Sequence, residues 1–207
     1  MTETRIDHLI VTAPDLASGA ELVRRALGVE LQTGGKHESL GTHNLVLKLG
    51  DAIYLEVIAP DPDAPAPGRP RWFELDDRRP PRLAGWAART SDIRATAAAS
   101  SEALGTIAEM SRGDLNWLIT IPDDGKLPLG GAGPALIEWR TPHPAARMRD
   151  AGCSLAVLEA FHPDARRVSA LLRSLSVRDE VPVSSAERPH LRARFQTPAG
   201  PRSLGGP

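Results

Sequence analysis

Tyr54-Leu55-Glu56-Val57-Ile58-Ala59-Pro60 is echoed further along by Leu136-Ile137-Glu138-Trp139-Arg140-Thr141-Pro142. Each copy closes a stretch that opens with a strand and an Asp-led helix. A carboxylate inside an apolar strand is costly to desolvate unless something pairs with it. Its recurrence at equivalent places predicts two similar halves that build one paired site.

The stretch before the first copy reads as a complete unit. Residues 6–11 form a strand. Asp15 caps a helix with Leu16, Ala20, Val23 and Leu27 on one face, and Gly28 stops it. Strands at 29–33, 43–49 and 52–58 follow, with Gly50-Asp51 as the hairpin turn between the last two. Residues 60–81, rich in Pro and Asp, read as a crossing linker anchored by Trp72 and Phe73. The pattern then restarts with a strand at 83–88. Asp92 caps a helix carrying Ile93, Ala97 and Leu104, with Gly105 as its stop. Strands at 106–110, 115–121 and 135–140 complete the second unit. The loop 122–134, longer than its counterpart, is expected to cover a pocket. A third, incomplete copy has a strand at 153–161, a helix begun by Asp164, short strands at 181–185 and 191–195, and a loose tail from 197.

The expected fold class is therefore α+β: paired βαβββ modules forming a curved mixed sheet around a cleft, with a degenerate βαββ unit at the C-terminus. The modules span about 5–60 and 83–142, the linker 61–82 and the partial unit 150–196, all in a single domain.

Composition bounds the function. The 207 residues, 41% of them hydrophobic, suffice for one sizeable core. A net charge of −1 gives no field to draw nucleic acid or an anionic membrane. No apolar run approaches the roughly 20 residues of a membrane helix, and the polar N-terminus does not read as a signal peptide. A cytoplasmic protein is expected. Cys153, the only cysteine, excludes an internal disulfide and reads as inert and buried.

Strand alternation sorts the side chains. Leu9 and Val11 oppose His8 and Ile10; Ile53, Leu55 and Val57 oppose Tyr54, Glu56 and Ile58. Leu45, Leu47 and Leu49 oppose Asn44, Val46 and Lys48. In the second unit, Leu115, Trp117, Ile119 and Ile121 oppose Asn116, Leu118 and Thr120, and Ile137 and Trp139 oppose Leu136, Glu138 and Arg140. The uniformly apolar face is expected to pack on the helices. The other face then lines a ligand cleft with His8, Asn44, Lys48, Tyr54, Glu56, Asn116, Glu138 and Arg140.

Asp7-His8-Leu9-Ile10-Val11, Gly41-Thr42-His43-Asn44, Tyr54–Pro60 and Leu136-Ile137-Glu138-Trp139 together resemble the glyoxalase-like branch of the vicinal oxygen chelate superfamily. His143-Pro144, Gly152-Cys153 and His162-Pro163-Asp164 fit that branch too. The resemblance covers most of residues 5–175 and implies metal ligands from the first and fourth strands of each module. Residue by residue, these are His8 and Glu56 from the first module and Glu138 from the second. The fourth position falls on Gly85, beside Trp86, so a four-ligand site as in glyoxalase I is not expected.

One imidazole and two carboxylates suit a divalent Zn, Mn, Fe, Co or Ni ion with open positions for water and substrate. Such an ion chelates two adjacent oxygens of a small oxygenated metabolite and stabilises an enediolate, in lyase, isomerase or dioxygenase chemistry. Glu56 and Glu138 are the candidate proton carriers. Asn44, Lys48, Tyr54, Asn116 and Arg140 are the candidate substrate contacts, with Lys48 and Arg140 able to fix a substrate carboxylate. Without a metal, the same cleft reads as a binding site that sequesters a small molecule, as in drug-resistance relatives. A third reading is a dimerising scaffold, and a homodimer is compatible with all three. His43 is expected on the helix side. His143 and His162 are read as loop anchors, and His37 and His190 as exposed.

Overall fold

The computed structural model describes residues 3–206. The first unit contains β1 (Arg5–Thr12), α1 (Leu16–Leu27), β2 (Gln32–His37), β3 (Thr42–Gly50) and β4 (Ile53–Pro60). The second contains β5 (Arg82–Arg89), α2 (Ile93–Ala99), β6 (Thr106–Arg112), β7 (Leu115–Ile121) and β8 (Ala135–Trp139). Eight strands form one sheet in the order β2-β3-β4-β1-β5-β8-β7-β6. β1 runs parallel to β4, and β5 parallel to β8. The halves meet where β1 and β5 pair antiparallel at the centre. The outermost strands, β2 and β6, come back into contact, so the sheet curls into a cup.

Local chemistry sets the helices. Asp15 Oδ1 accepts from Ser18 N (2.8 Å), and Gly28 ends α1 in the left-handed region at φ 72°. Leu27 and Val23 of α1 pack with Leu9, Val11, Leu55 and Val57 on the convex side. Gly19 allows the close approach: a Cβ there would lie 2.4 Å from Val57 Cγ1. In α2, Asp92 accepts from Ala95 N (3.0 Å), but the helix stops at Ala99 with Ser100 as its cap, short of the expected Leu104.

The concave side holds a second apolar cluster. Ile10 and Ile58 meet Trp117, Ile119, Ile137 and the linker residues Trp72, Phe73 and Leu75. Here the second half departs from the expected orientation. β7 and β8 turn Trp117, Ile119, Ile137 and Trp139 inward, and send Leu118 and Leu136 to the helix side. Alternation identifies the two faces but not which one meets the helices. The linker covers the concave side of this half, so its inner face is the more apolar one.

The C-terminal unit is also fuller than expected. It contains β9 (Ser154–His162), α3 (Ala165–Ser174), β10 (Val183–Ser185), β11 (His190–Thr197) and β12 (Gly200–Gly205). These strands form a separate sheet in the order β10-β9-β11-β12. The expected loose tail is β12, paired antiparallel with β11 from Arg192↔Gly205 to Thr197↔Gly200. The first strand of this unit lies between its second and third, unlike the other two units, so it is not a truncated copy of them. Leu158, Leu191, Phe195 and Leu204 join the convex core with Leu83, Trp86 and Leu136. The unit thus packs on both halves, with β12 against α1 and β9 against β3 on one side and β11 against β5 on the other. Leu204 is 4% exposed, so Leu204→Ala should cost about 2–4 kcal/mol in urea unfolding. A loose tail would give no measurable change. No helix among the described residues is long and apolar enough to cross a membrane.

Candidate functional site

The parallel register His8↔Tyr54 and Ile10↔Glu56 puts His8 and Glu56 on the concave face, in adjacent strands at the centre of the cup. His8 Nε2 lies 3.8 Å from Glu56 Oε2. Between β1 and β5, Ile6 opposes Ala88 while His8 opposes Ala87, which leaves Asp7 as the extra residue of a bulge. A bulge re-aims side chains, and neighbours that would otherwise point apart meet on one side. Asp7 Oδ1 accepts from His8 Nδ1 at 2.7 Å. Asp7 Oδ2 accepts from Trp139 Nε1 and from His143 Nε2, both at 3.0 Å.

These bonds fix the protons. His143 Nδ1 accepts from Ala145 N (3.2 Å), so the ring proton sits on Nε2 and is donated to Asp7. Burial alone would raise the pKa of Asp7. Hydrogen bonds from His143 and His8 outweigh it and hold the carboxyl well below the usual range. An ionised Asp7 only accepts, so His8 donates its Nδ1 proton to it and turns Nε2 toward Glu56. Tyr54 stacks on the His8 ring at 4.7 Å between centroids and fixes its plane. Burial pushes the Tyr54 phenol well above its ordinary pKa, so it stays protonated.

Glu56 is positioned from the other side. Its Oε1 accepts from Asn44 Nδ2. Asn44 Oδ1 in turn accepts from Gly35 N (2.7 Å) and Arg112 NH1 (3.1 Å). Arg112 NH1 also donates to His37 Nε2 (3.3 Å), and His37 Nδ1 lies 3.1 Å from Thr42 Oγ1, to which it donates. Burial lowers the His37 pKa to about 4, with the Arg112 charge acting in the same direction, so the ring is neutral near pH 7. Trp72, Phe73, Trp117, Ile119, Ile137 and Trp139 form the apolar wall. The cleft encloses about 20 Å³, room for about one water molecule, within about 330 Å³ of space that is open to solvent.

The second half brings no side chain that matches His8 or Glu56. Around the centre of the sheet, Ile10↔Gly85 and His8↔Ala87 make Gly85 the counterpart of His8 and Ala87 the counterpart of Ile10. Ile10 pairs with Glu56, and Ala87 pairs with Ala135, so the counterpart of Glu56 is Ala135. A Cβ on Gly85 would lie 2.6 Å from Leu127 Cδ2; a leucine fills the place of a side chain there.

Of the residues expected in the cleft, His8, Asn44, Tyr54 and Glu56 line it. Glu138 does not. It lies three positions beyond Ala135, on the helix side, where Oε2 accepts from Ile93 N at the start of α2 (2.8 Å). Its other oxygen pairs with Arg140 NH1 at 2.8 Å. Glu138 thus satisfies an open N–H at a helix terminus, which accounts for a buried carboxylate without a metal. Arg140 is outside the cleft with it. Asn116 is exposed and bonds the carbonyl of Asp114. Lys48 sits by the hairpin turn, 3.6 Å from Asp51 Oδ1.

A His8, Glu56 and Glu138 ligand set therefore does not fit this chain. Among the described residues, no group of three or more His, Cys, Asp or Glu side chains is placed to hold a metal ion. Sequence reasoning missed Asp7, His37 and Arg112. The signal for Asp7 was a second charged residue in an otherwise apolar strand. His37 was expected to be exposed, but is 3% exposed. His143 does anchor its loop, as expected, and in addition reaches Asp7.

Residues 6–176 match the family model of the glyoxalase-like domain, and the chain belongs to that family, within the vicinal oxygen chelate superfamily. No curated protein matches the sequence. Among solved structures, a hypothetical protein from Staphylococcus aureus is similar at 12% identity and TM-score 0.59, over 90% of this chain and 87% of that one. A methylmalonyl-CoA epimerase from Streptomyces coelicolor, solved with 2-nitronate-propionyl-CoA, has 23% identity and TM-score 0.46, over 67% of this chain and 99% of its own. One from Mycobacterium tuberculosis has 18% identity and TM-score 0.42, over 65% and 85%. The likeness is one of fold.

Proposed function

We propose that the chain is an enzyme that moves a proton on a small oxygenated metabolite, in lyase or isomerase chemistry, with His8 as base. The observation that carries this reading is the Asp7-His8 pair. A buried, ionised carboxylate holds the imidazole so that Nε2 faces a small cleft with an apolar wall on one side. His8 Nε2 takes a proton from a carbon beside a carbonyl, and the electron pair moves onto the carbonyl oxygen. Asp7 stabilises the imidazolium that forms. The imidazolium then gives that proton back to the anion at the neighbouring atom, with Glu56, held by Asn44, beside it as the second proton carrier. The apolar wall excludes water, which strengthens each of these interactions.

In this reading the reaction is run by the protein's own groups. A divalent ion would have His8 Nε2 and Glu56 Oε2 as protein donors, with Gly85 and Ala135 at the two matching positions. Elemental analysis after purification from metal-replete medium should show well under one Zn, Mn, Fe, Co or Ni per chain. One equivalent, lost in His8→Ala, would restore the metal-dependent reading. The proton chemistry is tested by incubating the protein in D2O with small 2-oxo acids, hydroxyketones and hydroxyaldehydes. Catalysed loss of the C–H proton signal beside the carbonyl is the expected result. Ligand-dependent thermal stabilisation with no exchange would favour the sequestering reading.

A further inference from the structure

Arg112 stands out among the groups facing the cleft because its charge is not paired. Its NH1 bonds two neutral acceptors, Asn44 Oδ1 and His37 Nε2. Among the described residues, no carboxylate lies within ion-pair distance of its guanidinium. Glu38 and Glu109 line the groove just outside without pairing to it, and Asn44 stands between Arg112 and Glu56. The side chain comes from the end of β6 and crosses to β2 on the opposite edge of the sheet. Gly35 makes the crossing possible: a Cβ there would lie 2.6 Å from Arg112 Cδ. Thr42, His37 and Asn44 then hold the guanidinium in one orientation. A partly buried cation without a counter-ion carries a desolvation cost that a bound anion relieves. Nε and NH2 remain as donors along one edge of the fork, the edge that fits a planar carboxylate with two parallel bonds.

We infer that Arg112 anchors a carboxylate of the substrate, so that the molecule handled at His8 is a small 2-oxo or 2-hydroxy acid. The inference rests on reading the cleft as an active site. The two oxygens of such a group would take Nε and NH2, and Arg112 lines the same cleft as His8 and Glu56.

Binding, not turnover, tests it. Pyruvate and its uncharged counterpart pyruvamide are titrated into the protein and followed by saturation-transfer NMR. Pyruvate should bind at least tenfold more tightly than pyruvamide. Arg112→Lys keeps the charge but loses the fork, and should weaken pyruvate about tenfold. Gly35→Ala, which displaces the arginine stem without removing it, should weaken it similarly. Glu138→Gln, outside the cleft, should bind pyruvate within threefold of the unmodified chain. Circular dichroism and thermal melting verify that each variant is folded. Equal affinity for pyruvate and pyruvamide, absence of pyruvate binding, or undiminished binding by folded Arg112→Lys would overturn the inference. Pyruvate binding without proton exchange would instead sink the proposed reaction and leave this anion site standing.

Discussion

His8→Ala is expected to slow proton exchange on a productive substrate by about 10²–10⁴-fold, the usual contribution of a positioned general base. The loss should fall on kcat, because the ring is poised to act on the proton and not to hold the anion. Glu56→Gln keeps the shape and its contact with Asn44 Nδ2, but cannot carry a proton. It should therefore also depress kcat while leaving KM nearly unchanged. Glu138→Gln provides the contrast. Its bonds reach Ile93 N and Arg140 on the far side of the sheet, so it should turn over at the unmodified rate with a small loss of stability. Exchange rates by NMR in D2O, measured for the three variants side by side, decide the matter. A Glu138→Gln protein as inactive as His8→Ala would show that the second half participates after all.

Asp7 is the position where substitution should do the most damage to folding and chemistry together. It is fully buried and accepts three hydrogen bonds, from His8, His143 and Trp139. Asp7→Ala should cost about 3–5 kcal/mol, the scale for deleting one member of a buried charged network. Asp7→Asn keeps the volume and one acceptor, so it should cost less. It also places an amide N–H opposite His8 Nδ1. The imidazole proton then moves to Nε2, the lone pair is lost from the cleft, and the exchange rate should fall about 10²–10⁴-fold. Stability against pH gives an independent readout. The Asp7 carboxyl has its pKa lowered in the folded chain, so its contribution is complete above the ordinary carboxylate value of about 4. As pH falls below that value toward the folded pKa, the contribution is lost. Urea unfolding between pH 7 and pH 2 should therefore show a shallower acid decline in Asp7→Asn than in the unmodified chain. Parallel declines would remove Asp7 from the network.

The first half was legible because its signals agree. Asp15 and Gly28 bracket α1, and Leu55 and Val57 mark the buried face that places Glu56 and Tyr54 opposite. The second half was misread from the same rule. Trp117, Ile119, Ile137 and Trp139 form the more apolar face, yet they line the cleft, because the linker with Trp72 and Phe73 fills that side. The local match of Leu136-Ile137-Glu138 to Tyr54-Leu55-Glu56 is real in sequence but offset by three residues in the sheet, which moves the carboxylate to the other face. Asp7 could not be placed by alternation, since its position depends on a bulge set by pairing with β5. Arg112 and His37 lie far apart in the chain, and only closure of the cup brings β6 against β2. Residues 200–205 give little strand signal, being Gly-Pro-Arg-Ser-Leu-Gly, and become a strand because β11 offers them a free edge.

The leucine at position 127 turns a symmetric architecture into an unequal partnership. With Gly85 and Ala135 beside it, the second half brings Arg112 to the cleft while the first keeps the proton-carrying groups. That division also marks out a design route. Clearing Leu127 to Ala and writing His at 85 and Glu at 135 would put imidazole and carboxylate groups at the two positions equivalent to His8 and Glu56.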